Sequence, residues 1–138
     1  MIQSGERIFV DTGAWIALAV VRDALHERSR EIWTTIREAG ARPVVSMPVL
    51  LETFTYLQRK VAHELAERWW ESLDAVPFLE RVECSQADVK AAMKYFARRD
   101  LHKLSLVDAT SFVVMKKHRI RVAFAFDTHF AAAGFRLA

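Results

Sequence analysis

Short, wholly apolar runs alternate along this chain with longer stretches of helical periodicity, and that alternation predicts a β/α succession. Ile8-Phe9-Val10 contains no polar residue, the pattern of a strand buried on both faces of a parallel sheet. Gly13 to Val21 is apolar enough for a buried helix. Leu25 to Ala39 sets Leu25, Ile32, Trp33 and Ile36 among Glu and Arg and stops at Gly40, as helices do. Pro43 to Ser46 reads as a second strand. Pro48 opens a helix to Lys60, at a position where its missing N–H costs least. In that helix Leu50, Phe54, Leu57 and Val61 share one stripe, with Glu52, Tyr56 and Arg59 opposite. His63 to Leu73 is a further helix carrying Trp69-Trp70, Phe78 to Val82 a strand, and Gln86 to Arg98 a helix with Lys90, Lys94 and Arg98 on one stripe. Ser105 to Met115 is apolar almost all round and so central. Arg121 to Phe126 is a strand ending at Asp127, and a short helix (Thr128 to Ala133) and a strand (Phe135 to Leu137) close the chain. The expected architecture is α/β, with a mainly parallel sheet and right-handed crossovers.

Composition narrows this picture a little. The 138 residues fit one domain, residues 1–138, which would bury roughly 68–70% of its unfolded surface. A hydrophobic fraction of 52% with three prolines and four glycines favours short connections. A net charge of +3 and a pI near 9.3 permit a polyanionic partner without requiring one. The lone Cys84 excludes an internal disulfide framework and the usual zinc sites and reads as an inert core thiol. No apolar stretch approaches the ~20 residues of a membrane span. Glu6 and Arg7 interrupt any signal-peptide pattern. The expectation is a cytoplasmic protein with no membrane partner.

The acidic residues carry the chemistry. Glu27, Glu31, Glu64, Glu67 and Glu71 sit on polar helix faces and read as solvated surface. Asp11, Glu52, Asp108 and Asp127 do not fit that description. Two follow apolar strands and two lie near the starts of apolar helices, and in a parallel sheet those places share one edge. Singly, each has a bland explanation. Asp11 and Asp127 are good helix caps, Ser105-x-x-Asp108 has the spacing of a capping box, and Glu52 suits a helix N-terminus. Together, four carboxylates on one edge repel, and must protonate or find a cation. An all-carboxylate set suits Mg²⁺ or Mn²⁺.

Four segments carry a family resemblance: Val10-Asp11-Thr12-Gly13, Leu51-Glu52, Leu104-Ser105-Leu106-Val107-Asp108-Ala109, and Phe126-Asp127-Thr128-His129-Phe130 followed by Gly134-Phe135. In this order and spacing the chain resembles a PIN domain, and more narrowly the VapC-type ribonuclease toxins of prokaryotic toxin–antitoxin pairs. The resemblance implies a three-layer fold and a Mg²⁺- or Mn²⁺-dependent endoribonuclease that hydrolyses RNA phosphodiesters with a metal-activated water. Asp11, Glu52, Asp108 and Asp127 would be its catalytic, metal-holding acids. Thr12 would be a hydroxyl ordering the first acid, and Ser105 the helix-opening residue. A cognate antitoxin protein and a homodimer are implied as partners, and Trp69, Trp70, Phe54 and Tyr56 could serve such an interface but read better as core packing. The chain departs from the pattern at Ala125, where many relatives carry Ser or Thr.

RNA also requires basic surroundings. Arg98, Arg99 and Lys103 precede the Ser105 helix and are the candidate substrate contacts, whereas Lys116-Lys117-His118-Arg119 at its far end reads as surface. His26 and His129 read as locally hydrogen-bonded. The alternative is a catalytically silent PIN-like module that binds RNA or protein, for which Ala125 speaks and the four intact acids speak against. A phosphoaspartate hydrolase would need an acid at position 13, which is Gly. The adjacent acids and late lysine of a phosphoacceptor receiver are not evident either.

Overall fold

The computed structural model describes residues Met1–Ala138. The elements follow in the order β1 (Arg7–Val10), α1 (Thr12–Ala19), α2 (His26–Glu38), β2 (Arg42–Ser46), α3 (Met47–Lys60), α4 (His63–Ser72), β3 (Glu80–Val82), α5 (Gln86–Ala92), α6 (Leu106–Lys117), β4 (Val122–Phe124), α7 (His129–Ala132) and β5 (Arg136–Leu137). All strands run parallel in the order β3-β2-β1-β4-β5. The chain therefore builds outward from β1 in one direction through β2 and β3, then returns to the other side of β1 for β4 and β5. That reversal makes the crevice between β1 and β4, at their carboxyl ends, the place where open α/β sheets bind ligands.

The register follows from burial. Phe9 pairs with Val44 on one side and Ala123 on the other, and all three are fully buried, as expected of central strands covered on both faces. Helices α1 to α4 pack on one another, and α5 packs on α6. Trp15 joins Trp33 (5.6 Å) and Trp69 (6.0 Å) in the first group, and Phe112 joins Tyr95, Phe130 and Phe135 in the second. The central α6 buries Ala109, Phe112, Val114 and Met115. Its two buried hydroxyls, Thr110 and Ser111, donate back to the Val107 carbonyl at 2.7 and 3.0 Å.

Several sequence expectations need correction. The helix expected over residues 86–98 stops as an α-helix at Ala92, and Met93–Ala97 wind as a 3₁₀ turn. The tighter turn accompanies Tyr95 into the core against Phe112, so Lys90, Lys94 and Arg98 do not form a continuous α-helical stripe. The strand expected at Phe78 starts only at Glu80, because Phe78 has a left-handed backbone (φ 61°) and is exposed. β4 ends at Phe124, two residues short of the expected boundary. Of the tryptophan pair, Trp69 is core, whereas Trp70 stays 41% exposed and lies edge-on to Phe54 at 6.1 Å. Cys84 is half-buried beside the core, and burial raises its thiol pKa. No helix is long and apolar enough to cross a membrane.

Candidate metal centre

Asp11 is the first residue after β1 and the N-cap of α1, yet its side chain makes no capping hydrogen bond. Its backbone carbonyl closes the first turn, accepting from the Ala14 and Trp15 N–H groups, both at 3.1 Å. The carboxylate is thus free for another purpose. It is also only 5% exposed, with Oδ1 buried and unpartnered. A lone oxygen of this kind is costly to bury. Burial first, then the charge of Asp108, pushes the Asp11 pKa up to about 8, with Glu52 and Asp127 adding to the rise and the Thr12 backbone N–H opposing it. The capping explanation of Asp11 fails on this geometry.

Asp108 lies in the first turn of α6. Ser105 caps that helix, its Oγ accepting from the Asp108 N–H at 3.0 Å. Only half of the expected capping box forms, because the Asp108 carboxylate accepts no reciprocal bond from the Ser105 N–H. The carboxylate turns instead toward the other acids. Burial, then the neighbouring Asp127 carboxylate, raises its pKa to about 7, and Glu52 contributes further.

Asp127 follows β4 after Ala125 and Phe126. Its Oδ1 accepts from the His129 backbone N–H at 2.8 Å and lies 3.0 Å from His129 Nδ1. The other ring nitrogen of His129, Nε2, sits 2.7 Å from the His102 carbonyl, which can only accept, so Nε2 donates there. The imidazole is thereby clamped between a loop carbonyl and Asp127, with Asp108 Oδ2 3.9 Å from Nδ1. Ligand atoms of Asp108, Asp127 and His129 all fall within 4.8 Å of one another. His129 does bond locally, as its sequence position implies, but it also belongs to the cluster. The readable signal for this was the Asp-Thr-His spacing in one turn, which sets the ring beside the acid.

Glu52 stands in the sixth position of α3, further along than the first turn, and is half-buried. It lines an open groove of about 540 Å³ with Pro48, Leu51, Tyr56, Arg59 and Val107. Its charge is felt by both Asp11 and Asp108. The four acids separated in sequence therefore feel one another's charge at the carboxyl edge of the sheet, the tight group being Asp108 and Asp127 with His129. Thr12 differs from expectation, since its backbone N–H acts on Asp11 while its buried hydroxyl bonds to no protein group. Arg98 also differs: its guanidinium is held by Asp100 (Nε to Oδ1, 3.0 Å) and by the Ala132 carbonyl (2.9 Å). Arg99 and Lys103 are exposed. His26 is buried with Nδ1 2.7 Å from the Ala17 carbonyl, away from the acids.

The donor set fits a hard divalent cation. It consists of carboxylate oxygens with one imidazole at the rim, Asp11 Oδ1 is buried without a partner, and no lysine or arginine pairs with any of the four acids. The fold and this acidic edge define the class. The chain belongs to the PIN domain family, which it matches over residues 8–136. Among its relatives, it is 41% identical over 131 residues to the 23S rRNA-specific endonuclease VapC20 of Mycobacterium tuberculosis, covering 93% of this chain and 95% of that one. The crystal structure of M. tuberculosis VapC20, described as a sarcin-ricin loop cleaving toxin, superposes with a TM-score of 0.81 at 34% identity, covering 93% of this chain and 95% of that one. VapBC2 from Rickettsia felis, bound to a promoter DNA fragment, shares the fold with a TM-score of 0.69 at 10% identity, covering 96% and 97% of the two chains.

Proposed function

We propose that this protein is a Mg²⁺- or Mn²⁺-dependent endoribonuclease acting as one domain over residues 1–138, and the toxin of a type II toxin–antitoxin pair. The observation that carries the reading is the buried Asp11 carboxylate, its Oδ1 without a partner and its charge opposed by those of Asp108, Glu52 and Asp127, at the switch point of the sheet. Asp11 and Asp108 would be the principal metal ligands, with Glu52 and Asp127 completing the set. Such an ion supplies an activated water at neutral pH and neutralises charge on the phosphodiester and its leaving oxygen.

The protein's own contribution is placement. The Ser105 cap fixes the first turn of α6 and so the Asp108 Cα position. His129 holds Asp127 through its backbone N–H, which donates to Oδ1 at 2.8 Å, with the ring packed beside the carboxylate. The β1–α1 turn keeps Asp11 out of water, which strengthens any charge interaction it makes. Arg99 and Lys103, exposed just before α6, are suited to phosphates on the approaching strand. The exposed Leu51, Tyr56, Trp70 and Leu106 offer apolar surface to a cognate antitoxin or a second copy in a homodimer.

The likeness to VapC20 supports ribosomal RNA as the substrate class, with the sarcin-ricin loop as the first RNA to try. A 23S rRNA fragment containing that loop should be cut at one position in Mg²⁺ or Mn²⁺. It should stay intact in excess chelator and with Asp108→Asn. Undiminished cleavage under either condition would remove the metal-acid mechanism, and no cleavage of any RNA would favour the silent binding module.

A further inference from the structure

The amino edge of the sheet carries the opposite charge. Arg7 and Arg42 begin β1 and β2 and are register partners, Arg136 begins β5, and Arg121 directly precedes β4. The Arg136 N–H donates to the Arg121 carbonyl at 2.9 Å, and Ile8 pairs with Val122, so Arg7, Arg121 and Arg136 start three adjacent strands. Like charges on neighbouring strands repel. Arg119 adds another guanidinium from a left-handed backbone (φ 57°) just past α6, a position where glycine is the default. With Gln3 and Glu6, the side chains of Arg7, Arg119, Arg121 and Arg136 line an open cavity of about 460 Å³.

Only part of this charge is answered within the chain. Glu80 accepts from Arg7 Nη2 at 2.9 Å and Glu6 from Arg136 Nη2 at 2.7 Å. Arg119 and Arg121 are exposed and have no carboxylate partner, and Arg7 Nε is buried without an acceptor. We propose that this cavity is a phosphate-binding site, taking a phosphate either of an RNA backbone or of a free nucleotide. Guanidinium forks match phosphate oxygens in two-bond geometry, and the two unanswered arginines offset the two charges of a terminal phosphate or bridge successive phosphodiesters. The site goes beyond the nuclease reading and does not depend on it, because it lies at the opposite ends of the strands from the acids.

The test uses metal-stripped protein, which leaves RNA uncut, with two probes: inorganic pyrophosphate and a short single-stranded RNA. Binding is followed by calorimetry and by the arginine Nε–Hε NMR signals. The pocket variant is Arg119→Gln/Arg121→Gln. The charge-matched control is Arg22→Gln/Arg68→Gln, which removes two exposed charges elsewhere. We expect at least one probe to shift the Arg119 and Arg121 signals in the unmodified protein, and its Kd to rise about tenfold or more in the pocket variant but less than about twofold in the control. Pyrophosphate binding alone assigns a free phosphate group rather than an RNA backbone. RNA binding whose salt slope falls by about one to two units assigns the backbone. Equal weakening in both variants, or unshifted Arg119 and Arg121 signals with both probes, overturns the site.

Discussion

The chain contains a Ser-x-x-Asp helix start twice, with opposite electrostatic results. At Ser85-Gln86-Ala87-Asp88 the capping box closes fully: Asp88 N–H donates to Ser85 Oγ at 3.1 Å, and Asp88 Oδ2 accepts from Ser85 N–H at 2.9 Å. Lys117 Nζ stands 3.4 Å away, and the Ser85 backbone bond is the main reason that the Asp88 pKa is lowered. At Ser105-Leu106-Val107-Asp108 the serine caps in the same way, but the carboxylate is left for Asp11, Glu52 and Asp127, and its pKa rises to about 7. The serine and aspartate stand at the same spacing in both, so the difference comes from what the rest of the fold sets opposite. A lysine faces one aspartate, and three carboxylates face the other. The first arrangement stabilises the chain; the second costs it stability unless a cation answers the charge.

The sharpest way to break this contrast is to neutralise both acids in turn. Asp108→Asn should lower kcat/KM on RNA by about 10³-fold or more, while Asp88→Asn should change it by less than about twofold. Comparable losses in the two variants would show that Asp108 matters only as a helix start. Next in size, His129→Asn should reduce cleavage by about 10–100-fold through misplacement of Asp127, with the loss partly recovered at higher Mn²⁺. A loss that no ion concentration relieves would place His129 outside the metal's support.

Stability should respond in the opposite sense at the two sites. The folded-state pKa values of Asp11 and Asp108 lie above the ordinary value of 3.8, at about 8 and about 7. Between those limits the folded chain binds more protons than the unfolded one, so ionisation favours unfolding. Metal-free protein should therefore lose stability as pH rises from about 4, by ~2 kcal/mol or more by about pH 8.5. Urea denaturation across that window checks the sign, and Mn²⁺ should recover the loss at the alkaline end. Smallest of all, Asp88→Asn should cost ~1 kcal/mol at neutral pH. Metal-free Asp108→Asn should instead be as stable as the parent or more so at about pH 8.

Much of this arrangement was legible in the chain. Ile8-Phe9-Val10 is apolar without interruption because β1 is the middle strand, covered on both faces. A carboxylate directly after such a run has few places to go, and Asp11 went to the sheet's carboxyl edge as expected. The missed features depend on contacts between distant segments. Nothing local distinguishes the closed capping box at Asp88 from the open one at Asp108. The 3₁₀ turn at Met93–Ala97 breaks a stripe that residue spacing alone supports, as Tyr95 is drawn against Phe112. His129 looked like a locally bonded side chain, which it is, but its second bond reaches His102, 27 positions away. Arg98 looked free for RNA and is tied to Asp100 and Ala132. The arginines at the amino edge are unremarkable in sequence and become neighbours only through the strand register.

The central claim is that Asp11, Glu52, Asp108 and Asp127 jointly hold one divalent centre, and Mn²⁺ binding followed by electron paramagnetic resonance at about pH 8 tests it most directly. The account predicts tight, stoichiometric binding by the unmodified protein and by Asp88→Asn. Binding should weaken by about 30-fold or more in Asp11→Asn and in Asp108→Asn. Undiminished Mn²⁺ affinity in those two variants would contradict it.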